Sequence, residues 1–295
     1  SGVLQYIIPF VNDQVVGDLK IYYNILRLAG EVSFVADSIP NGPVTLYHFD
    51  KSVHTKGAYD QGEMVGTWLT YHPNGETESI VNYEEGLRHG STLLFNELGD
   101  TTHRIYYQRD TLHGTYELLN PRKGYLARGK YDQGQPDSVW LTYHDNGELQ
   151  SLQEFDKGKP LGTWKFYDNQ NRLTATERYT AGIAQGAWYT YHPNSRVASW
   201  SWYSAGKQDS SYFEFYEDST VSVMGSYELG QKTGVWKSYT EQGLLYAAGP
   251  YKAGQKHGLW QYFHPKGGIA SEGQYRSGER SGQWFEFYTN KVLKS

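Results

Sequence analysis

The chain has 295 residues, a net charge of −5, a mean hydropathy of −0.69, no Cys, 27 Tyr, 9 Trp and 33 Gly. Without Cys there is no disulfide, no thiolate metal ligand and no thiol nucleophile, and the chain is compatible with an oxidising envelope compartment. The composition, 38% hydrophobic and 20% charged, is that of a globular chain. Aromatics reach 16%, so apolar burial rests on flat rings more than on aliphatics. No run approaches the ~18 apolar residues of a membrane span. The best, Val3 to Val11, is interrupted by Gln5 and Pro9. Residues 227–295 hold nine Lys/Arg against five Asp/Glu, and the rest of the chain 18 against 27. That balance argues against nucleic-acid binding, which needs a concentrated basic face. It leaves a C-terminal end suited to an acidic partner, or simply local fluctuation on a solvated surface. The chain opens on Ser1 and not Met, so we expect its start to have been altered.

In chain order, residues 1–34 come first and are unlike the rest of the chain, except for Gly17-Asp-Leu19-Lys-Ile-Tyr22. They are expected to cap the first edge of a repeat array. From residue 35 a 24-residue period takes over. A tyrosine or phenylalanine opens each unit at Tyr59, Tyr83, Tyr107, Tyr131, Phe155, Tyr179, Tyr203, Tyr227, Tyr251 and Tyr275, a span of nine periods. One more unit fits upstream if it opens at Val35, giving ten full units and a truncated one after Tyr275. The domain reading is therefore a cap over 1–34 and a single array over 35–295.

Within a unit, with the opening residue as position 0, glycines recur at positions 3, 7 and 16, tryptophan at 9 and an aromatic at 12. Position 18 is usually aliphatic, and positions 20 and 22 are often small, as in Ser271 and Gly273. Two short aromatic and β-branched segments bounded by Gly, Pro and Asn read as strands. One turn spans positions 13–16, as in His72-Pro73-Asn74-Gly75, and the other positions 1–6. Centring the first turn near 14.5 pairs position 9 with 20 and 11 with 18. The turn near 3.5 is expected to pair position 7 with the next opening tyrosine. Alternation then places Trp68, Trp140, Trp164, Trp188, Trp236, Trp260 and Trp284 on one buried face with positions 18, 20, 22 and 24. Positions 10, 17, 19, 21 and 23 form the wet face, unless a bulge shifts the assignment. The predicted fold is all-β: an elongated, solenoid-like array of antiparallel hairpins, roughly twenty strands in a single twisted and coiled sheet.

The core Gly66-Thr-Trp68-Leu-Thr-Tyr71 with Gly75, repeated at Gly162-Thr-Trp164-Lys-Phe-Tyr167, resembles the MORN repeat in its bacterial variant form. The resemblance covers about residues 35–295. Units 83–106, 107–130 and 203–226 depart from it, with Thr92, Tyr116 and Tyr212 where Trp is expected and Leu119 for an aromatic. The resemblance implies a non-catalytic β-hairpin array that binds proteins or, in some families, phospholipids. Its bacterial variant is commonly a YwqK-like antitoxin of a toxin–antitoxin pair.

Candidate catalytic and metal residues dissolve into repeat positions. His48, His72, His144, His192 and His264 share position 13, and His89, His113 and His257 share position 6. Equivalent positions are two strands, roughly 10 Å, apart, too far to share a zinc ion bound at ~2 Å. Gly230-Gln-Lys232-Thr233-Gly234 lacks the glycine before lysine and the following helix of a phosphate-binding loop. Glu84-Glu85 and the other acids are scattered on turns. No catalytic residue, metal or cofactor is expected. The informative irregularity is Trp200 and Trp202 on the wet face, with Tyr189 and Phe213 beside them and Tyr216 nearby. Trp200 is expected opposite Phe213. Such a cluster has the composition of a binding hot spot, unless coiling buries both faces there.

The sequence thus points to a non-enzymatic scaffold that binds another protein, as a toxin-neutralising or envelope-assembly component. A carbohydrate-binding module of the bacterial surface and a peripheral phospholipid binder are the alternatives. No nucleic acid and no membrane-spanning segment are expected. The bacterial periplasm or cell envelope is favoured over the cytoplasm. The edge after Tyr275, with Ser295 stopping short of a second strand, is a place for self-pairing.

Overall fold

A computed structural model describes residues 5–23, 28–35, 39–289 and 292–293; Ser1 and Ser295 lie outside these. The described residues hold 28 strands and no helix. They divide into two compact units, Ser1–Gly147 and Glu148–Ser295. In the first, Tyr6–Ile7 pairs with Gly17–Tyr22, and the strands from there to Gln135–Tyr143 pair antiparallel with their chain neighbours. Phe10–Val11 and Gln14–Val15 make a separate small hairpin. In the second, the same meander runs from Leu149–Asp156 to Glu279–Glu286. There are more strands than expected, partly because 1–34 contributes four and most of a fifth, Leu28–Val35, and partly because bulges split others. Ile183–Ala184 and Gly186–Tyr191 are one such pair.

Each repeat is built on two turns of different kinds. Asp60 pairs with Glu63 around Gln61 and Gly62, whose φ angles are 45° and 90°. Two consecutive positive φ values make a type I′ turn, whose twist matches that of the strands it joins. It is therefore tighter than the predicted span of positions 1–6. Position 2 adopts this conformation even without glycine, as at Lys157, Ala181 and Leu229. The other turn is a three-residue loop. The His72 N–H donates to the Glu76 carbonyl at 2.8 Å, and the Gly75 N–H to the His72 carbonyl at 2.9 Å. Gly75 at φ 88° closes it, as expected for a type I turn followed by a left-handed residue.

Two bulges per repeat alter the expected register. One lies near position 7, where Gly66 and Gly90 have φ of 67° and 93° and the register steps between Arg88 and Thr92. The other lies between positions 11 and 12, at Thr70/Tyr71. Trp68 consequently pairs with Val81, and Thr70 with Ser79, two residues beyond the expected partners. Gly66 does face the next opening residue, Tyr83. A displacement of two preserves the alternation of faces, so the tryptophans expected on the buried face stay together, but Trp140, Trp164, Trp188 and Trp284 are only half-buried there. Trp68, Trp236, Trp260, Ala247, Thr55, Ser79, Ser151 and Ser201 are all buried on it.

Upstream, Phe34 and not Val35 takes the opening position. Phe34 stands opposite Gly17 and Pro40, as Tyr59 stands opposite Gly42 and Met64. Val35 pairs with Ile39. The turn between them, 36–38, lies outside the described residues.

The core is a ladder of rings. Trp260 sits between Tyr251 and Tyr275, edge-on, at centroid distances of 5.3 and 6.0 Å. Trp236 lies likewise between Tyr227 and Tyr251 at 5.2 and 5.7 Å. Edge-to-face geometry suits the aromatic quadrupole. Five of the indoles lie across a glycine at position 22 of the preceding repeat. A Cβ built on Gly57, Gly129, Gly225, Gly249 or Gly273 would overlap the ring of Trp68, Trp140, Trp236, Trp260 or Trp284. The Trp260 indole N–H donates to the Pro250 carbonyl at 3.0 Å, and Trp164 to Glu154 likewise at 3.0 Å. At ~25 cal/mol per Å² and 150–250 Å² per ring, each such tryptophan buries on the order of 4–6 kcal/mol of hydrophobic free energy.

Both turn rows are stitched along the chain. At the type I′ turns the Gly62 N–H donates to Pro40, Gly86 to Met64 and Gly254 to Lys232, at 2.8–3.0 Å. At the other turns His48 meets the Tyr71 carbonyl at 2.9 Å, His192 that of Phe215 at 2.8 Å and His264 that of Phe287 at 2.9 Å. A carbonyl only accepts, so Nε2 carries the proton in each. The recurrent histidines at position 13 are therefore occupied in holding turns together.

Candidate binding face

The face away from the tryptophan ladder carries positions 10 and 21, which pair directly across strands. In Glu148–Ser295 the cross-strand register links Thr176, Tyr189, Trp200, Phe213, Met224 and Lys237 in an unbroken row. Four consecutive large apolar side chains stand in its middle. The Trp200 and Phe213 centroids are 5.5 Å apart, and the expected pairing of these two is observed. Tyr191 and Phe215, two residues along their strands, extend the row to a patch. Tyr191 stacks with Tyr189 at 6.3 Å and Phe215 with Phe213 at 6.1 Å. Tyr239 donates its hydroxyl toward the Met224 sulfur at 3.6 Å.

Tyr189, Trp200, Phe213 and Met224 are half-buried by one another, and Trp202 is 39% exposed. Neither indole is buried within the chain. Trp202 stands opposite Ala187 and Asp209, beside the row. Tyr216 is not part of it. It occupies position 13, where other repeats carry histidine, and its hydroxyl donates to the Tyr239 carbonyl at 2.7 Å. Its role in the fold is that of a turn histidine.

Three members of the patch escape a reading of the sequence. Met224 lies opposite Phe213 only because the loop bulge moves the register by two; a regular hairpin would set Ser222 there. Tyr191 and Phe215 belong to a position that is aromatic in nearly every repeat, so nothing in them stands out. Their signal is contextual: they adjoin the one stretch where positions 10 and 21 are also aromatic.

On the ladder side, tyrosines hold their protons tightly. Burial pushes the Tyr179 and Tyr212 phenols well above the usual range, helped by hydrogen bonds to Glu177 and Glu214. Burial raises Tyr203 and Tyr227 as well. A phenol held neutral in this way packs as a ring and donates a hydrogen bond; it is a poor base.

Residues 64–85, 136–157 and 256–277 match the family model described as MORN repeat variant. No curated protein matches the chain. Among solved structures, the chain is similar to the crystal structure of TcdB2-TccC3-Cdc42, with 11% identity, 94% of this chain and 20% of that one covered, and a TM-score of 0.19. It is also similar to the Photorhabdus luminescens Tc holotoxin pore, with 11% identity, 98% and 18% covered, and a TM-score of 0.20. The chain spans about a fifth of the length of these structures.

Proposed function

We propose, from the premise that three of its segments match the MORN repeat variant, that the chain is a non-enzymatic scaffold binding another protein through the aromatic row Tyr189, Trp200, Phe213 and Met224. One observation supports this above others: four large apolar side chains run side by side on the face that the tryptophan ladder does not use. Their burial contributes little to the core, whereas Trp, Tyr and Met are the side chains enriched at protein interfaces. A toxin-neutralising or envelope-assembly role is the setting that the resemblance implies. A glycan array would present similar rings in repeat after repeat, and the outward row is aromatic over one stretch only. A net charge of −5 disfavours attraction to anionic membranes.

The test is affinity capture from extracts of the source organism with wild type and Trp200→Ser/Trp202→Ser, followed by calorimetry with the purified captured protein. Removal of a hot-spot indole costs at least ~2 kcal/mol, so a loss of affinity of roughly thirtyfold or more is expected. An unchanged affinity, or specific retention only by cell-wall oligosaccharide, overturns the reading.

A further inference from the structure

The tryptophan face carries a second pattern, confined to the last three repeats. Position 5 is uncharged at Met64, Leu112, Pro136, Pro160, Ala184 and Gln208. It then becomes Lys232, Lys256 and Arg280 in consecutive units. Each cation lies over the tryptophan of its own repeat. The Lys232 Nζ is 4.0 Å from the Trp236 centroid, the Lys256 Nζ 4.1 Å from that of Trp260, and the Arg280 Cζ 4.2 Å from that of Trp284. Lys256 also donates to the Tyr262 hydroxyl at 2.9 Å. Cation–π contact fixes the charge in place without neutralising it.

Contrast Arg88, which also occupies position 5. It lies over Tyr107 but is neutralised by Asp110 at 2.7 Å. Among the described residues, Lys232, Lys256 and Arg280 meet rings and phenols instead of a carboxylate in contact. Glu214 is the acid whose charge Lys232 feels, while burial holds its ammonium below the usual lysine range. Lys232 and Lys256 line one cleft of about 230 Å³ with Trp236, Tyr251, Trp260 and Tyr262. The surrounding stretch, 227–295, has nine Lys/Arg against five Asp/Glu in a chain that is acidic elsewhere.

Spacing selects the ligand. Equivalent positions are two strands apart, about 9.6 Å. A polyproline II chain advances about 9.3 Å in one three-residue turn, so every third side chain falls on one line at that interval. A β-strand would point side chains three residues apart in opposite directions. Aromatic-lined grooves are also the surfaces that receive polyproline II segments. We propose that Lys232, Lys256 and Arg280 bind an extended acidic peptide carrying a carboxylate at every third residue. One carboxylate meets each cation, and the intervening residues lie against the half-exposed Tyr251 and Tyr262 rings. This surface is distinct from the Trp200 row and does not depend on it.

The full chain is titrated with a peptide of Glu-Pro-Pro triplets, with a Glu-Pro repeat of equal length and with a Lys-Pro-Pro peptide, by tryptophan fluorescence and calorimetry. We expect salt-sensitive binding of the first, about tenfold tighter than the second, and none of the third. Lys256→Gln weakens it about tenfold and Lys256→Arg restores it, with circular dichroism showing that both variants fold. Trp200→Ser/Trp202→Ser leaves it unchanged, which separates this surface from the outward row. Equal binding of the two acidic peptides, no binding of either, or full affinity in Lys232→Gln/Lys256→Gln/Arg280→Gln overturns the proposal. So does binding to phosphatidylserine vesicles that needs the three cations when the triplet peptide does not bind.

Discussion

The two units use the same repeat and decorate it differently. In Ser1–Gly147 the outward row reads Lys20, Glu31, Thr45, Lys56, Leu69, Ile80, Leu93, Arg104, Glu117, Arg128 and Leu141. Charges of opposite sign face each other, with Lys20 and Glu31 at 3.5 Å and Arg104 and Glu117 at 3.0 Å. In Glu148–Ser295 the corresponding row holds Tyr189, Trp200, Phe213 and Met224. The ladder side differs too. The first unit has Trp68 and Trp140 with Thr92 and Tyr116 between them; the second has five tryptophans at position 9, interrupted only by Tyr212. The difference teaches that the ladder sets the register, while the outward row can change its chemistry without disturbing it. One row sets two ion pairs on either side of the aliphatic stretch Leu69, Ile80 and Leu93, and the other carries rings.

The strongest way to break this comparison is to exchange a ladder ring for an outward one. Trp260→Ala should cost about 3–5 kcal/mol, as large-to-small core changes do. Trp200→Ala should cost about 1 kcal/mol or less, in the range of partly exposed sites. Chemical denaturation measures both, and hydrogen exchange should place the Trp260 loss in the adjoining hairpins. Equal costs would mean that the outward row is core after all.

The ladder should also set an alkaline limit. Tyr179, Tyr203, Tyr212 and Tyr227 hold their protons more tightly folded than unfolded, chiefly through burial. Their contribution is therefore complete below the ordinary phenol value of ~10 and is lost as pH rises through the folded value. Denaturation midpoints should fall with phenolate absorbance above that pH, and less steeply in Tyr179→Phe/Tyr212→Phe. A flat profile would dissociate the phenols from the core.

The smallest effect should have the opposite sign. Thr92 takes a tryptophan position in the first unit, is 5% exposed, and its hydroxyl has no partner among the described residues. Thr92→Val removes an unsatisfied buried hydroxyl at nearly constant shape. It should stabilise by about 1 kcal/mol, read as a rise in melting temperature. A loss would point to a bridging water.

Much of this was legible in the residues. The period, the hairpins and the ring face come from local rules: alternation, turn glycines and small residues opposite large ones. Pairing was harder, because Gly66 and its equivalents read as turn punctuation but stand inside strands at positive φ. A bulge leaves a glycine in the sequence and no record of which strand gains a residue. The loop-side bulges at Thr70/Tyr71 and Glu214/Phe215 leave not even that mark, and they shifted Trp68 from Ser79 to Val81 and hid Met224 behind Phe213. Tyr216 drew attention as an aromatic beside a patch, whereas its work is that of the histidine it replaces. The row Lys232, Lys256 and Arg280 is visible as charge, but only the folded sheet places each cation over a ring.

The stitched turns carry a consequence for how such a chain grows. The Gly62 N–H reaches Pro40 as Gly86 reaches Met64 and Gly254 reaches Lys232, backbone to backbone, whatever the side chains are. Each junction therefore offers the same socket on one side and the same plug on the other. Duplicating 24 codons inserts a repeat whose two new joints already exist elsewhere in the protein. Lengthening needs no compensating substitution, and the copied outward residues are then free to diverge.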